Sequence, residues 1–152
     1  MNSQNQFEIK PTTIFGFIKV FPLILLAIAF LVLANVYFPI LIIGSLITMI
    51  VAWYKYMFIR YISYLITEET IKIRTGIFIK RIDNLELYRV KDYVVVQSFI
   101  MQIFKIMNVT LITTDQLNKN IALIGIPQSD ITDVLREYVQ KARINNRIFE
   151  MN

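Results

Sequence analysis

Between Ile14 and Tyr54 the chain is almost free of charge, and no other feature limits its fold so strongly. A first apolar stretch runs from about Phe15 to Ala34, interrupted only by Lys19; a second runs from Val36 to about Tyr54 without any charge. At 1.5 Å per residue, about 19 helical residues cover roughly 28 Å, which matches a hydrocarbon core of about 30 Å. Neither stretch has the polar face that a helix lying on a soluble core needs. A cleaved signal segment is disfavoured, because the second stretch follows at once and no small-x-small site closes the first. The expectation is a transmembrane helical hairpin within residues 14–56, with spans of about 15–34 and 36–54 and a reversal around Asn35 and Pro39. Residues 1–13 read as a cytoplasmic N-terminal segment.

The flanks give the orientation. Lys10 and Lys19 lie at the first end, Lys55 and Arg60 follow the second span, and the connecting turn is uncharged. The positive-inside rule then places both termini in the cytoplasm. Lys19, Trp53, Tyr54, Lys55, Tyr56 and Arg60 read as membrane-interface anchors, with Lys19 snorkelling to the headgroups on its long stem. Within the spans, Gly44, Ser45 and Thr48 suit helix–helix packing. No acidic residue lies there, which leaves a proton relay or an aspartyl protease without its residues.

Composition removes further chemistry. The 152 residues allow one anchor and one compact domain. The hydrophobic fraction of 56% exceeds the roughly 45–50% of a soluble domain, and the two stretches account for the excess. There is no Cys and no His, so disulfides, thiol nucleophiles, imidazole bases and the common transition-metal ligands are missing. No cofactor and no metal are expected. The net charge of +5 comes without a Lys/Arg-rich run, which argues against nucleic acid as a partner.

After Tyr61 the apolar period becomes two. Tyr61–Thr67 reads as a strand, Glu68-Glu69 as a turn, and Ile71 and Ile73 alternate with Lys72 and Arg74 as a half-buried strand. Gly76 separates a third strand, Ile77–Ile82, and Asp83-Asn84 turns the chain into a fourth, Leu85–Tyr88. Asp92–Gln97 is a further strand, Ser98–Lys105 a helical turn, and Val109–Thr113 with Ile121–Ile124 a closing pair around Asp115–Lys119. Pro127 ends the last strand, and Ser129 or Asp130 caps a helix. Ile131, Val134, Leu135, Tyr138, Val139 and Ala142 form its apolar stripe. Residues 144–152 read as a flexible tail.

The run YLITEETIKIRTGIF, Tyr64–Phe78, resembles the opening of the bacterial pleckstrin-homology-like (PH-like) domain family of membrane proteins. Arg81-Ile82-Asp83, Leu87–Asp92, Gln97-Ser98 and Ile124-Gly125-Ile126-Pro127 follow in the family's order, over about residues 60–143. The family often has glycines in the turn that is Lys105-Ile106-Met107-Asn108 here, where Asn108 is expected to take the left-handed conformation. The resemblance implies an α+β membrane protein. A two-helix hairpin would precede a PH-like antiparallel β-barrel of about seven strands, capped by a C-terminal helix.

The resemblance implies this fold and no activity; the leading expectation is a non-catalytic binding or scaffold module, not an enzyme, on the cytoplasmic face of a bacterial plasma membrane. The expected partners are the bilayer together with another membrane protein or a second copy of the chain. The alternative is recognition of anionic lipid headgroups through Lys72, Arg74, Lys80 and Arg81, read as one basic strand face. An ordinary solvated face explains the same four cations. Eukaryotic PH domains bind phosphoinositides around the first hairpin loop, here read as Thr67-Glu68-Glu69, whose acids argue against that site. Arg89, Lys91 and Asp92 are a candidate partner surface, or else a salt-bridged turn.

Overall fold

The structure, a computed structural model, describes residues 6–115, 119–129 and 131–146. Two long helices come first. Helix α1 spans Thr13–Val36 and α2 spans Leu41–Arg60. Thr12 starts α1 by accepting the Phe15 N–H on its hydroxyl (3.3 Å), satisfying one of the orphan donors of the first turn. The reversal lies at Tyr37–Ile40, so each helix ends beyond the span expected for it, α2 by a turn and a half. The seam between them uses small residues: Ala27, Ala34, Ser45 and Ala52 are buried. Gly44 meets the Phe30 ring, and Gly16 lies under the Tyr56 ring. Thr48 instead bonds the Gly44 carbonyl of its own helix (2.8 Å).

Both helices are long and apolar enough to cross a membrane. Only 17% of the most apolar window of α1 and 11% of that of α2 are buried. The core helix of a soluble domain would be mostly enclosed.

The remaining strands form two antiparallel sheets. The first has the order β1-β2-β3-β4, from Phe7–Ile9, Ser63–Ile66, Thr70–Thr75 and Arg81–Glu86. The second has the order β5-β6-β7, from Val90–Val96, Ile106–Thr113 and Asn120–Pro127. A short helix α3, Phe99–Ile103, joins β5 to β6, and helix α4, Ile131–Asn145, follows β7. Seven antiparallel strands and the C-terminal helix are present as expected, but among the described residues they form two sheets and not a closed barrel. Their inner faces and the stripe of α4 enclose one core, with Tyr64, Ile66, Ile71, Leu87, Leu123 and Leu135 almost inaccessible. Tyr64 ties the sheets together. Its hydroxyl accepts the Ile124 N–H at 2.9 Å, and burial pushes its phenol up to about 12.

Strand β1 is absent from the sequence-based reading. Its register, Phe7↔Ile66 to Ile9↔Tyr64, puts residues before α1 into the same sheet as residues after α2. The helical hairpin is thus an insertion between the first two strands, and both of its ends leave from one sheet. Three further expectations change. Ile77–Ile82 and Leu85–Tyr88 are not two strands: β4 runs straight through Asp83-Asn84, and a 3₁₀ turn takes Leu87–Arg89. The chain reverses earlier, at Gly76 (φ 100°), while Asp83 accepts an ion pair from Arg81 (2.9 Å) inside the strand. Helix α4 extends into the expected tail as far as Asn145. The Asp130 cap and most of the Asp115–Lys119 turn fall outside the described residues.

The left-handed residue before β6 is Lys105 (φ 52°), not Asn108. Asn108 lies in β6, where its side-chain oxygen accepts the Gly125 N–H at 2.7 Å. A non-glycine residue at such a φ costs about 1–2 kcal/mol. Part of that gain would be offset by the added freedom of a glycine in the unfolded chain. Lys105→Gly is therefore expected to stabilise the protein by about 0.5–1 kcal/mol, read as an upward shift of the chemical-denaturation midpoint in detergent.

Candidate functional site

The hairpin is joined to the sheets by packed side chains and backbone hydrogen bonds. Phe15, Met101 and Ile106 form a second small core, with Ile18, Ile59 and Ile124 packed against it. The Thr12 N–H donates to the Gly125 carbonyl (2.8 Å), and the Arg60 guanidinium donates to the Thr13 hydroxyl (3.1 Å). Gly125 carries φ 65°, and the Phe15 ring lies where its side chain would be. This packing fixes which parts of the domain lie beside the helix ends. Ser63, three residues after α2, pairs with Arg74, and Thr75 pairs with Arg81. The 76–80 turn therefore projects from the same end of its sheet as the junction. Helix α3 lies there too, because Met101 packs against Phe15.

Large apolar side chains are left uncovered at this end. Phe78 and Ile79, at the tip of the turn, are 86% and 87% exposed. On α3, Phe99, Ile100 and Ile103 are exposed, as is Phe104 just after it, and on β5 so are Val94, Val95 and Val96. Sequence reasoning placed Phe78 and Ile79 inside a strand, and Val94–Val96 in the strand Asp92–Gln97, with no statement of which face they take. The one available signal was the Val94–Val96 run, whose lack of alternation is a poor fit to a half-buried strand.

The proposed basic face does not stay together. Lys72 and Arg74 share the outer side of the sheet, opposite Asn84 and Ile82. Arg81 alternates to the other side with Asp83, at a rim that also meets Asn120 and Ala122 of β7. Lys80 is exposed in the turn. The four cations are thus two on one face, one in a turn and one ion-paired behind.

The loop Thr67-Glu68-Glu69 also changes meaning. With β1 present it joins the second and third strands, and the first connection is the helical hairpin itself. Glu68 lies at the end of the sheet away from α1 and α2 and pairs with Lys141 of α4 (2.7 Å). Its acidity therefore says nothing about the end that faces the helix junction.

Arg89 closes a turn. Its Nε donates to Glu86 (2.7 Å) and to the Tyr88 hydroxyl (3.2 Å). Hydrogen bonding from Tyr88 and then Arg89 holds the Glu86 carboxyl below its ordinary range. Lys91 and Asp92 belong elsewhere, to a groove of about 180 Å³ between β5 and α4. Arg143 spans that groove and donates to the Val90 carbonyl at 2.6 Å. The outer edge of β5 is thus covered at its start and runs open along Val94–Val96.

The interface anchors sit on the domain-side turns of the helices. Lys19, Trp53, Tyr54, Lys55 and Arg60 are exposed. Tyr56 is half-buried between the helices, 5.0 Å from the Phe17 ring. Among the described residues no group of His, Cys, Asp and Glu could hold a metal ion.

A family described as "Bacterial PH domain" matches residues 13–143, from the start of α1 almost to the end of α4. No curated protein and no solved structure compared with the chain gave a match.

Proposed function

The chain belongs to the bacterial PH domain family, and on that premise we propose that it is a non-catalytic, membrane-anchored binding module. Its partner is another membrane protein or a second copy of the chain, on the cytoplasmic face of a bacterial plasma membrane. The anchoring rests on the two exposed apolar helices. Because both ends of the hairpin leave from one sheet, a spanning hairpin carries both flanks on one side. The basic flanks Lys10 and Arg60 then assign that side to the cytoplasm. PH-like domains are in general binding modules, which is the basis for expecting no catalysis.

One observation carries the protein-binding reading: the open β5 edge. A strand with free backbone donors and acceptors and exposed Val94, Val95 and Val96 is what isolated proteins avoid, because it accepts another strand. Strand addition supplies affinity through the main chain, and the neighbouring β5–α4 groove supplies side-chain selection. Held at the bilayer, such a contact works at high effective concentration.

A specific observation favours the second reading, anionic lipid recognition. The Phe78-Ile79 tip leaves from the helix end of the sheet and is followed by Lys80, as a bilayer-touching loop would be. One experiment separates the two. A photo-crosslinking residue is placed at Val95 or at Ile79 of the full-length protein in cells. Binding through the edge yields a discrete protein adduct from position 95, lost in Val94→Lys/Val96→Lys. Lipid adducts from position 79, with no protein adduct from 95, would replace the leading reading by the second.

A further inference from the structure

A pocket of about 430 Å³ lies where the two helices meet β7, and neither reading above uses it. Phe15, Ile59 and Ile124 are its least exposed lining residues, while Tyr54, Phe58, Lys19 and Lys55 form its accessible part. Such a volume is within the usual range for bound small molecules, about 300–1,000 Å³. Its chemistry is mixed in a specific way: an apolar interior with two ammonium groups, and no carboxylate among the residues that line it.

The two lysines come from different helices and lie at nearly one level. Lys19 is six residues inside the start of α1 and Lys55 five residues before the end of α2. At 1.5 Å per residue, these are about 9 Å and 7.5 Å from the domain-side ends. The Lys19 ammonium lies 5.6 Å from the centre of the Phe15 ring, so its stem leads toward the pocket. Among the described residues neither lysine has an ion-pair partner. Lysines this near the helix ends reach the level of the headgroups on their long stems, where an anionic group can meet them. Here the chain supplies the cations and the apolar bed, and the anion has to come from outside.

We infer that this pocket binds one anionic phospholipid, its phosphate held between Lys19 and Lys55 and its acyl chains lying over Phe58 and along the helices. The inference rests on the reading of α1 and α2 as membrane-spanning. It is separate from both sites above, since it uses neither the β5 edge nor Lys72, Arg74, Lys80 and Arg81. The lipid would act as a wedge at the joint, tying the level of the sheets to that of the headgroups.

The test uses the full-length protein, extracted in mild detergent from membranes containing phosphatidylglycerol and phosphatidylcholine, with bound lipid counted by native mass spectrometry. The expected result is one retained phosphatidylglycerol per chain, with phosphatidylcholine not retained. Lys19→Gln/Lys55→Gln should lower that retention at least tenfold. Lys19→Arg/Lys55→Arg should keep it, which separates lost charge from lost folding. The quadruple Gln variant at Lys72, Arg74, Lys80 and Arg81 should retain lipid as the parent does.

Undiminished phosphatidylglycerol on the double Gln variant, or equal retention of phosphatidylcholine by the parent, overturns the inference. So does lipid loss in the Arg pair when that variant keeps the parent's melting temperature. A carbonate wash distinguishes failure of the premise: release of the parent chain from the membrane pellet would remove the spanning reading itself.

Discussion

Gly125→Ala is expected to cost about 2–5 kcal/mol and to loosen the hairpin from the sheets. Two penalties combine. Gly125 holds φ 65°, where an L side chain costs about 1–2 kcal/mol. Its new Cβ would lie 2.3 Å from Phe15 Cδ1 and 2.4 Å from Cγ, distances at which one of the two must move. Phe15 is 1% exposed and anchors the small core at the joint, so its displacement carries an overpacking cost of about 1–3 kcal/mol. Thermal unfolding in detergent gives the total. A cycle with Phe15→Leu separates the parts, because the smaller side chain relieves the clash and leaves the φ cost. The double variant should then be more stable than the sum of the singles predicts. Strict additivity would mean that Gly125 is there for its φ alone and that Phe15 does not press on it.

This glycine also marks how far the sequence could be read. Ile124-Gly125-Ile126-Pro127 was visible as a motif before the helix, but its reason is a contact with Phe15, 110 residues earlier. Local patterns were legible where one residue's neighbours along the chain decide its environment. The uncharged spans, the Ile71/Ile73 alternation and the stripe of α4 are of this kind. Features that depend on register were not. Phe7–Ile9 is three residues long, and its pairing partner lies beyond the entire helical hairpin, so nothing nearby announces a strand.

The same limit governs the sites. Lys72, Arg74, Lys80 and Arg81 are close in sequence, yet the turn between them changes parity, and Arg81 ends on the side opposite Arg74. Asp83-Asn84 has turn-forming residues, but Asp83 is occupied by Arg81 and Asn84 sits opposite Lys72 in the ladder. The open β5 edge is likewise a property of the sheet order. The missing glycine before β6 could be noticed from the family pattern, but which residue takes over its conformation could not. Lys105 does so, two residues after α3 has ended.

Gly76→Ala is the second change expected to be severe, and it reaches the 76–80 tip without altering its exposed side chains. At φ 100° the added Cβ would lie 1.9 Å from the Ile79 carbonyl oxygen, so the obstruction is backbone. No rotamer change can relieve it, and the turn has to be rebuilt. A cost of about 2–4 kcal/mol is expected, measured by denaturant unfolding of the full-length protein in detergent. Phe78→Ser/Ile79→Ser, by contrast, changes only side chains that are almost fully exposed and should stay within about 0.5 kcal/mol of the parent. The pair of variants then weighs the two functional readings. Rebuilding the turn should displace the tip from the bilayer and reduce lipid crosslinks from position 79. It should spare protein crosslinks from position 95, because β5 belongs to the other sheet. If Gly76→Ala leaves the parent's stability and its position-79 adducts intact, the turn is not held as described. The case for a lipid-touching tip would then fall with it.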